Sequence, residues 1–193
     1  MRVTKLFYIV NILAIIVLAG CGGVSNSVPR SGISVPLQGN YVVLQSDKGD
    51  FVGQGQTHIY TPADAHINLM ATRGNCVYCT PAEVHINVKA MTHLYITIVG
   101  DEGWSGNFQV PDNLTRLEPG YYDGLKRYPF HNPVKGGLDW SGEGRGCNKL
   151  TGWFAIDSVT YDNNGLTAID IRFEQHCEDA SPALHGRIHW SAL

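Results

Sequence analysis

Short runs of alternating apolar and polar residues, each closed by a turn-forming cluster, fill the chain from residue 41 onwards. Thr167, Ile169, Ile171 and Phe173 alternate with Ala168, Asp170 and Arg172; Leu184, Gly186, Ile188 and Trp190 alternate with His185, Arg187 and His189. Successive side chains of an extended strand point to opposite faces, so a period of two buries one set and exposes the other. Runs rich in Val, Ile, Thr and aromatics predict strands at Tyr41–Gln45, Thr57–Tyr60, His66–Met70, Val84–Val88, Leu94–Val99 and Asn107–Val110. Three more are predicted at Gly152–Tyr161, Thr167–Phe173 and Leu184–Trp190. Between them stand Asp47-Lys48-Gly49-Asp50, Asp101-Glu102-Gly103, Glu118-Pro119-Gly120 and Asp162-Asn163-Asn164-Gly165. These supply the side-chain acceptors and permissive backbones that turns require, and the last predicts a hairpin. No segment sustains a long helical period. The expected fold is all-β, an antiparallel β-sandwich or jelly-roll-like single domain.

The N-terminus follows a different pattern. Arg2 and Lys5 precede an apolar run from Leu6 to Leu18, broken only by Asn11, and then Ala19-Gly20-Cys21. The run is short for a bilayer span and matches a secretory signal. A cysteine directly after two small residues resembles a bacterial lipobox, which implies cleavage before Cys21 and lipidation of its thiol. Several acyl chains give durable membrane attachment where one holds only marginally. The expected organisation is therefore a signal peptide at 1–20, a lipid-anchored tether at 21–39 rich in Gly, Ser, Val and Pro, and a domain at 40–193. Gly22 stands where an aspartate would be associated with inner-membrane retention, which favours outer-membrane delivery in a host with two membranes.

Losing Arg2 and Lys5 with the signal takes the formal charge from −3 to −5. No Lys/Arg-rich block occurs, so nucleic acid is not an expected partner. Lipidation of Cys21 leaves Cys76, Cys79, Cys147 and Cys177. An even number in an exported chain favours disulfides; four cysteines permit three pairings, of which Cys76–Cys79 with Cys147–Cys177 is the one expected. Cys76-x-x-Cys79 also has the spacing of a redox dithiol or half a zinc site, with His66 and His85 as further ligands, but export makes oxidation the default. Neither a metal nor a cofactor is expected.

The unit Tyr60–Ala71 recurs at Cys79–Ala90, with Thr-Pro-Ala, His-Ile-Asn and a closing Ala kept in both. Two copies are too few for a solenoid, so a duplicated turn and strand is expected.

Three stretches carry candidate binding chemistry. Gly142-Glu-Gly-Arg-Gly-Cys-Asn148 places Arg145 and Asn148 among alternating glycines, but no helix or Lys-Ser/Thr follows to make it a phosphate loop. Phe173-Glu-Gln-His-Cys-Glu178 sets His176 between Glu174 and Glu178, the ingredients of a general base or of an ion-pair network bracing a loop. A Cys147–Cys177 bond would bring these two stretches together. Between residues 120 and 140, an aromatic, Pro/Gly-rich stretch reads as an ordered functional loop. There Tyr128, Phe130, His131 and Trp140 suit stacking on sugar rings, with Arg127 and Asp139 for polar contacts. The nucleophile elbow Gly-x-Ser-x-Gly, the His-Glu-x-x-His zinc motif and the EF-hand loop are all missing from the sequence.

The motifs Tyr128-Pro-Phe, Gly137-Leu-Asp, Gly144-Arg-Gly-Cys-Asn148 and Thr151-Gly-x-Phe154 resemble those of a family of secreted bacterial proteins. So do Phe173-Glu-Gln-His-Cys-Glu178 and Leu184-x-Gly-x-Ile188, with Gly53-Gln-Gly-Gln56 and Tyr60-Thr-Pro-Ala-Asp64 nearer the N-terminus. The resemblance spans roughly residues 40–190 and implies no catalytic residue. The second Thr-Pro-Ala unit with its Cys-x-x-Cys departs from that pattern as an insertion. The expected function is a lipid-anchored binding or surface-structural module of the cell envelope, with a glycan or other envelope component as ligand. The alternative is an envelope hydrolase or metal-dependent enzyme using His176 with Glu174 or Glu178.

Overall fold

The computed structural model describes residues 38–72 and 91–192. Cys21 with its signal peptide, most of the tether, Cys76, Cys79 and the second repeat copy with its expected strand lie outside the described residues. The described residues are all-β, with ten strands and no helix. In chain order these are β1 (Tyr41–Ser46), β2 (Thr57–Tyr60), β3 (His66–Thr72), β4 (His93–Val99), β5 (Gly103–Gln109), β6 (Gly120–Arg127), β7 (Gly137–Gly142), β8 (Leu150–Asp162), β9 (Gly165–Cys177) and β10 (Ala183–Ser191).

All ten join one sheet in the order β2-β1-β10-β9-β8-β6-β7-β5-β4-β3. Neighbours are antiparallel except β6 and β7, which run parallel over two residue pairs. The two end strands, β2 and β3, are consecutive in the chain and joined by the short Thr61–Ala65 connection, so the sheet curls nearly into a barrel. Side chains hold the seam. Tyr60 at the end of β2 donates to the carboxylate of Glu102 and accepts from Trp104 Nε1 at 2.6 Å, while His58 Nδ1 lies 2.9 Å from Glu102. Curling brings the two edge strands near each other, and side-chain contacts at the seam help cover edges that would otherwise invite pairing.

The alternation read from β9 and β10 fixes the inside. Ile169, Ile171, Phe173, Leu184 and Ile188 are buried, with Asp170, Arg172, His185 and His189 on the outer surface. Large rings fill the interior: Phe173 contacts Phe108 with centroids 5.4 Å apart and Trp140 at 5.1 Å. These rings sit against glycines directly opposite in register, Phe173 on Gly186, Trp140 on Gly106 and Trp104 on Gly142. A strand glycine offers no side chain of its own, so a neighbouring ring covers its backbone.

The stretch expected as a long functional loop contains β6 and β7. Only the Tyr128–Gly136 crossover between them remains loop. This correction reverses Trp140: as an inward position of β7 it is 0 % exposed and packed in the core, so its ring is not available to a ligand. The hairpin expected at Asp162–Gly165 is present, with Asp162 Oδ1 accepting from the Asn164 and Gly165 amides at 2.7 and 3.0 Å.

Candidate functional site

The sequence-derived candidates fall into three separate groups on the described structure. The first is a brace at one end of the barrel. Cys147 and Cys177 form a disulfide with Cα atoms 4.9 Å apart. Beside it, Glu178 Oε1 accepts from the amides of Asn148 at 2.6 Å and Lys149 at 3.2 Å, and the Glu178 amide returns a bond to Lys149 O. Gly142 and Arg145 exchange backbone bonds around Glu143 and Gly144, both at positive φ. That geometry is a two-residue hairpin turn, and it explains the central glycine. Glu143 Oε1 then accepts from the Gly103 amide at 2.6 Å, and Arg145 Nε donates to Val52 O at 2.8 Å. The distinctive glycine segment therefore spends its polar groups on backbone partners. It ties the β7–β8 connection to the loop after β1 and to the start of β5.

The second group lies on the outer face of β9 and β10. Glu174 bridges two histidines, with Oε1 at 3.1 Å from His176 Nε2 and Oε2 at 3.2 Å from His185 Nδ1. His176 Nδ1 faces Ser181 O at 3.0 Å, and His185 Nε2 lies 3.6 Å from Asp47. Each nitrogen of His176 thus lies within hydrogen-bond distance of an acceptor in its own neighbourhood. Of the two carboxylates expected beside His176, Glu174 is paired with it and Glu178 is committed to the loop amides. Among the described residues no group of three or more His, Cys, Asp or Glu is arranged to hold a metal ion.

The third group faces outward on β4, β5 and β7. Register places Thr97, Ser105 and Ser141 side by side across these strands, with Tyr95, Asn107 and Asp139 in the next outward row. The Glu143–Gly146 turn comes back over Ser141, so that Tyr95, Thr97, Val99, Ser105, Ser141 and the turn enclose an open groove of about 500 Å³. Hydroxyls floor it, Ser105 and Ser141 standing 3.3 Å apart. Asp139 continues the surface from Ser141 towards Arg127, whose Nε is 3.7 Å from Asp139 Oδ1. Burial pushes the Asp139 carboxyl up to about 6 against the opposing pull of Arg127 and a hydrogen bond from Ser141. Beyond Arg127 stands Phe130, 79 % exposed, with the guanidinium 5.7 Å from its ring centroid.

The crossover carrying Phe130 is firmly built. His93, Tyr128 and His131 stack in one pile, with centroids 4.5 and 5.4 Å apart. Its backbone is pinned by Asp112 N to Pro133 O and by Gly136 N to Asn132 O. Burial lowers His93 to about 4, so its ring is neutral, and Nε2 donates to Asn107 Oδ1 at 3.0 Å. His131 lies over Gly137, half-buried in the pile with its Nδ1 covered.

Of the candidates, Arg127, Asp139 and, at the edge, His131 come together; Arg145, Asn148 and Glu178 belong to the brace; Glu174 and His176 form their own network. Sequence reasoning missed Tyr95, Thr97, Ser105, Asn107 and Ser141. Their signal is the polar half of the alternation in β4, β5 and β7. It also missed Gln175, whose buried amide donates to Trp140 O at 2.8 Å and accepts from Trp140 N at 2.9 Å. It thereby pairs the stretch of β7 that β6 is too short to reach. No family model matches the chain, and neither does any curated protein or solved structure.

Proposed function

We propose that this chain is a lipid-anchored, extracytoplasmic binding module of the bacterial cell envelope, held through Cys21 and engaging a glycan on the outer face of β4, β5 and β7. The observation that carries the reading is the groove itself. It is open and floored by Thr97, Ser105 and Ser141, and Asn107 and Asp139 form the neighbouring outward row, with Arg127 beside Asp139. Short hydroxyls, an amide and a charged pair match the donors and acceptors of sugar hydroxyls, and the filled barrel interior directs ligand chemistry outward. The hydrolase alternative is less well supported, since His176 is engaged on both nitrogens and Glu178 caps a loop.

The test is a glycan and envelope-component screen on the exported chain from residue 22, followed by titration calorimetry. Ser105→Tyr fills the groove and is expected to weaken binding at least tenfold with the thermal midpoint kept. Unchanged affinity would place the ligand elsewhere, and absence of binding across the panel would overturn the reading. Lipidation is checked separately by fatty-acid labelling, which Cys21→Ala must abolish.

A further inference from the structure

The Arg127–Asp139 pair is unusually loose for neighbours on adjoining strands. Their closest approach of 3.7 Å is too long for a hydrogen bond. Arg127 Nε is buried without a hydrogen-bond partner, although 37 % of the side chain is open to solvent. Asp139 is only 14 % exposed and takes its hydrogen bond from Ser141 on its own strand. A guanidinium presents a planar set of donors that fits a carboxylate in a two-point contact, and this one is left without that contact. Phe130 extends beside it as the most exposed of the large apolar side chains among the described residues. The stacked, pinned crossover holds it in place, so little ordering cost attends its use.

We propose that the surface around Arg127, adjoining the groove, is a subsite for a carboxylate-bearing sugar unit, such as a uronic acid, whose carboxylate displaces Asp139 from Arg127 while its ring lies against Phe130. This inference rests on the glycan reading of the groove. Aromatic faces accept the C–H face of a pyranose, and the cation beside the ring selects for an acid over its neutral counterpart.

The displaced partner sets a pH signature. The groups acting on Asp139 are Arg127 from β6 and Ser141 from β7, and Asn107 of β5, opposite it in register, is occupied by His93. Burial holds the Asp139 carboxyl at about 6. Below that pH it becomes neutral and releases Arg127, while a sugar carboxylate with an ordinary pKa stays charged. Acid sugars therefore bind more tightly at pH 5 than at pH 7.5, and neutral sugars show no such preference.

The probes are an oligogalacturonate and its methyl ester, titrated into the full-length lipidated chain in detergent at pH 5 and pH 7.5. The acid form is expected to bind at least tenfold more tightly than the ester at pH 5, with a smaller margin at pH 7.5. Asp139→Asn should make the pH 7.5 affinity match that at pH 5, and Arg127→Gln should erase the difference between acid and ester. Circular dichroism of both variants keeps a folding defect from passing as lost binding. Equal affinity for acid and ester at both pH values, or binding of neutral glycans alone, overturns the subsite and leaves the groove reading standing. Failure of every glycan to bind overturns both.

Discussion

Adding a single methyl group to Gly186 is a stringent test of how the barrel is packed. Gly186 in β10 is directly opposite Phe173 in β9, and a Cβ built there would lie within 2.6 Å of three carbons of the Phe173 ring. Ordinary carbon contacts are about 3.5–4.0 Å, so the ring must move by more than about an ångström. It has nowhere to go. Phe173 is fully buried, with Phe108 and Trp140 against it. Overpacking of this kind costs about 1–3 kcal/mol, offset by about 0.4–1 kcal/mol from the smaller entropy of the unfolded chain once glycine is gone. The net expectation for Gly186→Ala is a loss of about 1–2 kcal/mol, which for a domain of this size lowers the thermal midpoint by about 2–8 °C. Gly103→Ala is the control, since a Cβ there meets no atom within 4 Å, and it should change stability by less than about 0.5 kcal/mol. Urea titration and calorimetry read both variants. Phe173→Leu should cost less in the Gly186→Ala background than in the wild type, because the smaller side chain relieves the clash. A Gly186→Ala protein as stable as wild type, or strictly additive costs in the double variant, would refute the ring-on-glycine account.

Replacing Cys147 and Cys177 together by serine should cost about 3–4 kcal/mol on the loop-entropy estimate, measured by urea unfolding without reductant; a loss below about 1 kcal/mol would mean the brace is held by Glu178 and its amides alone. Tyr60→Phe removes a hydroxyl that both donates to Glu102 and accepts from Trp104, so stability should fall by about 1–3 kcal/mol, and an unchanged urea midpoint would exclude that network as the seam. Two buried groups give opposing pH slopes: between about pH 4 and 6 native Asp139 keeps a proton that the unfolded chain releases, so its contribution declines as pH rises. Native His93, lowered to about 4, refuses a proton that the unfolded chain takes up, so its contribution is lost as pH falls from about 6.5 to 4. Asp139→Asn should therefore leave stability rising more steeply with pH across this window, and His93→Gln less steeply; parallel curves for the two variants would contradict the assignments.

The alternation that announced β9 and β10 was legible because each strand has one face in the core and one in solvent for most of its length. β6 was not, since its single fully buried residue is Leu125 and a register shift between Tyr122 and Leu125 breaks the period. Once β6 went unseen, β7 lost its context, and Trp140 read as a loop aromatic although Leu138 and Trp140 keep the inward period. The brace shows a different limit. Glu143, Arg145 and Glu178 bond to the backbones of segments distant in sequence, and backbone acceptors leave no mark in side-chain composition. The Cys147–Cys177 bond is the expected one of the three pairings that four cysteines permit, whereas the groove required knowing that Thr97, Ser105 and Ser141 are neighbours across three strands, which only register supplies.

The placement of the groove follows from how the sheet closes. Phe108, Trp140, Phe154 and Phe173 fill the middle of the nearly closed sheet, so the proposed binding surface is its outside, which is convex. Convex surfaces grip ligands poorly because they bury little area per contact. The Glu143–Gly146 turn interrupts that convexity by doubling back over Ser141, and the Tyr128–Gly136 crossover leaves Phe130 exposed. Both features stem from β7. Its end is clamped by Glu143 to β5 and by the Cys147 brace to β9, while its start must be reached by a crossover because it runs parallel to β6. The single parallel pairing in the sheet is thus what forces a projecting loop beside a row of outward hydroxyls. On the proposed glycan reading, exchanging the Tyr128–Gly136 loop should change the acid-over-ester preference around Arg127 in calorimetric titration while leaving the effect of Ser105→Tyr unchanged. An unaltered preference would refute this role for the crossover.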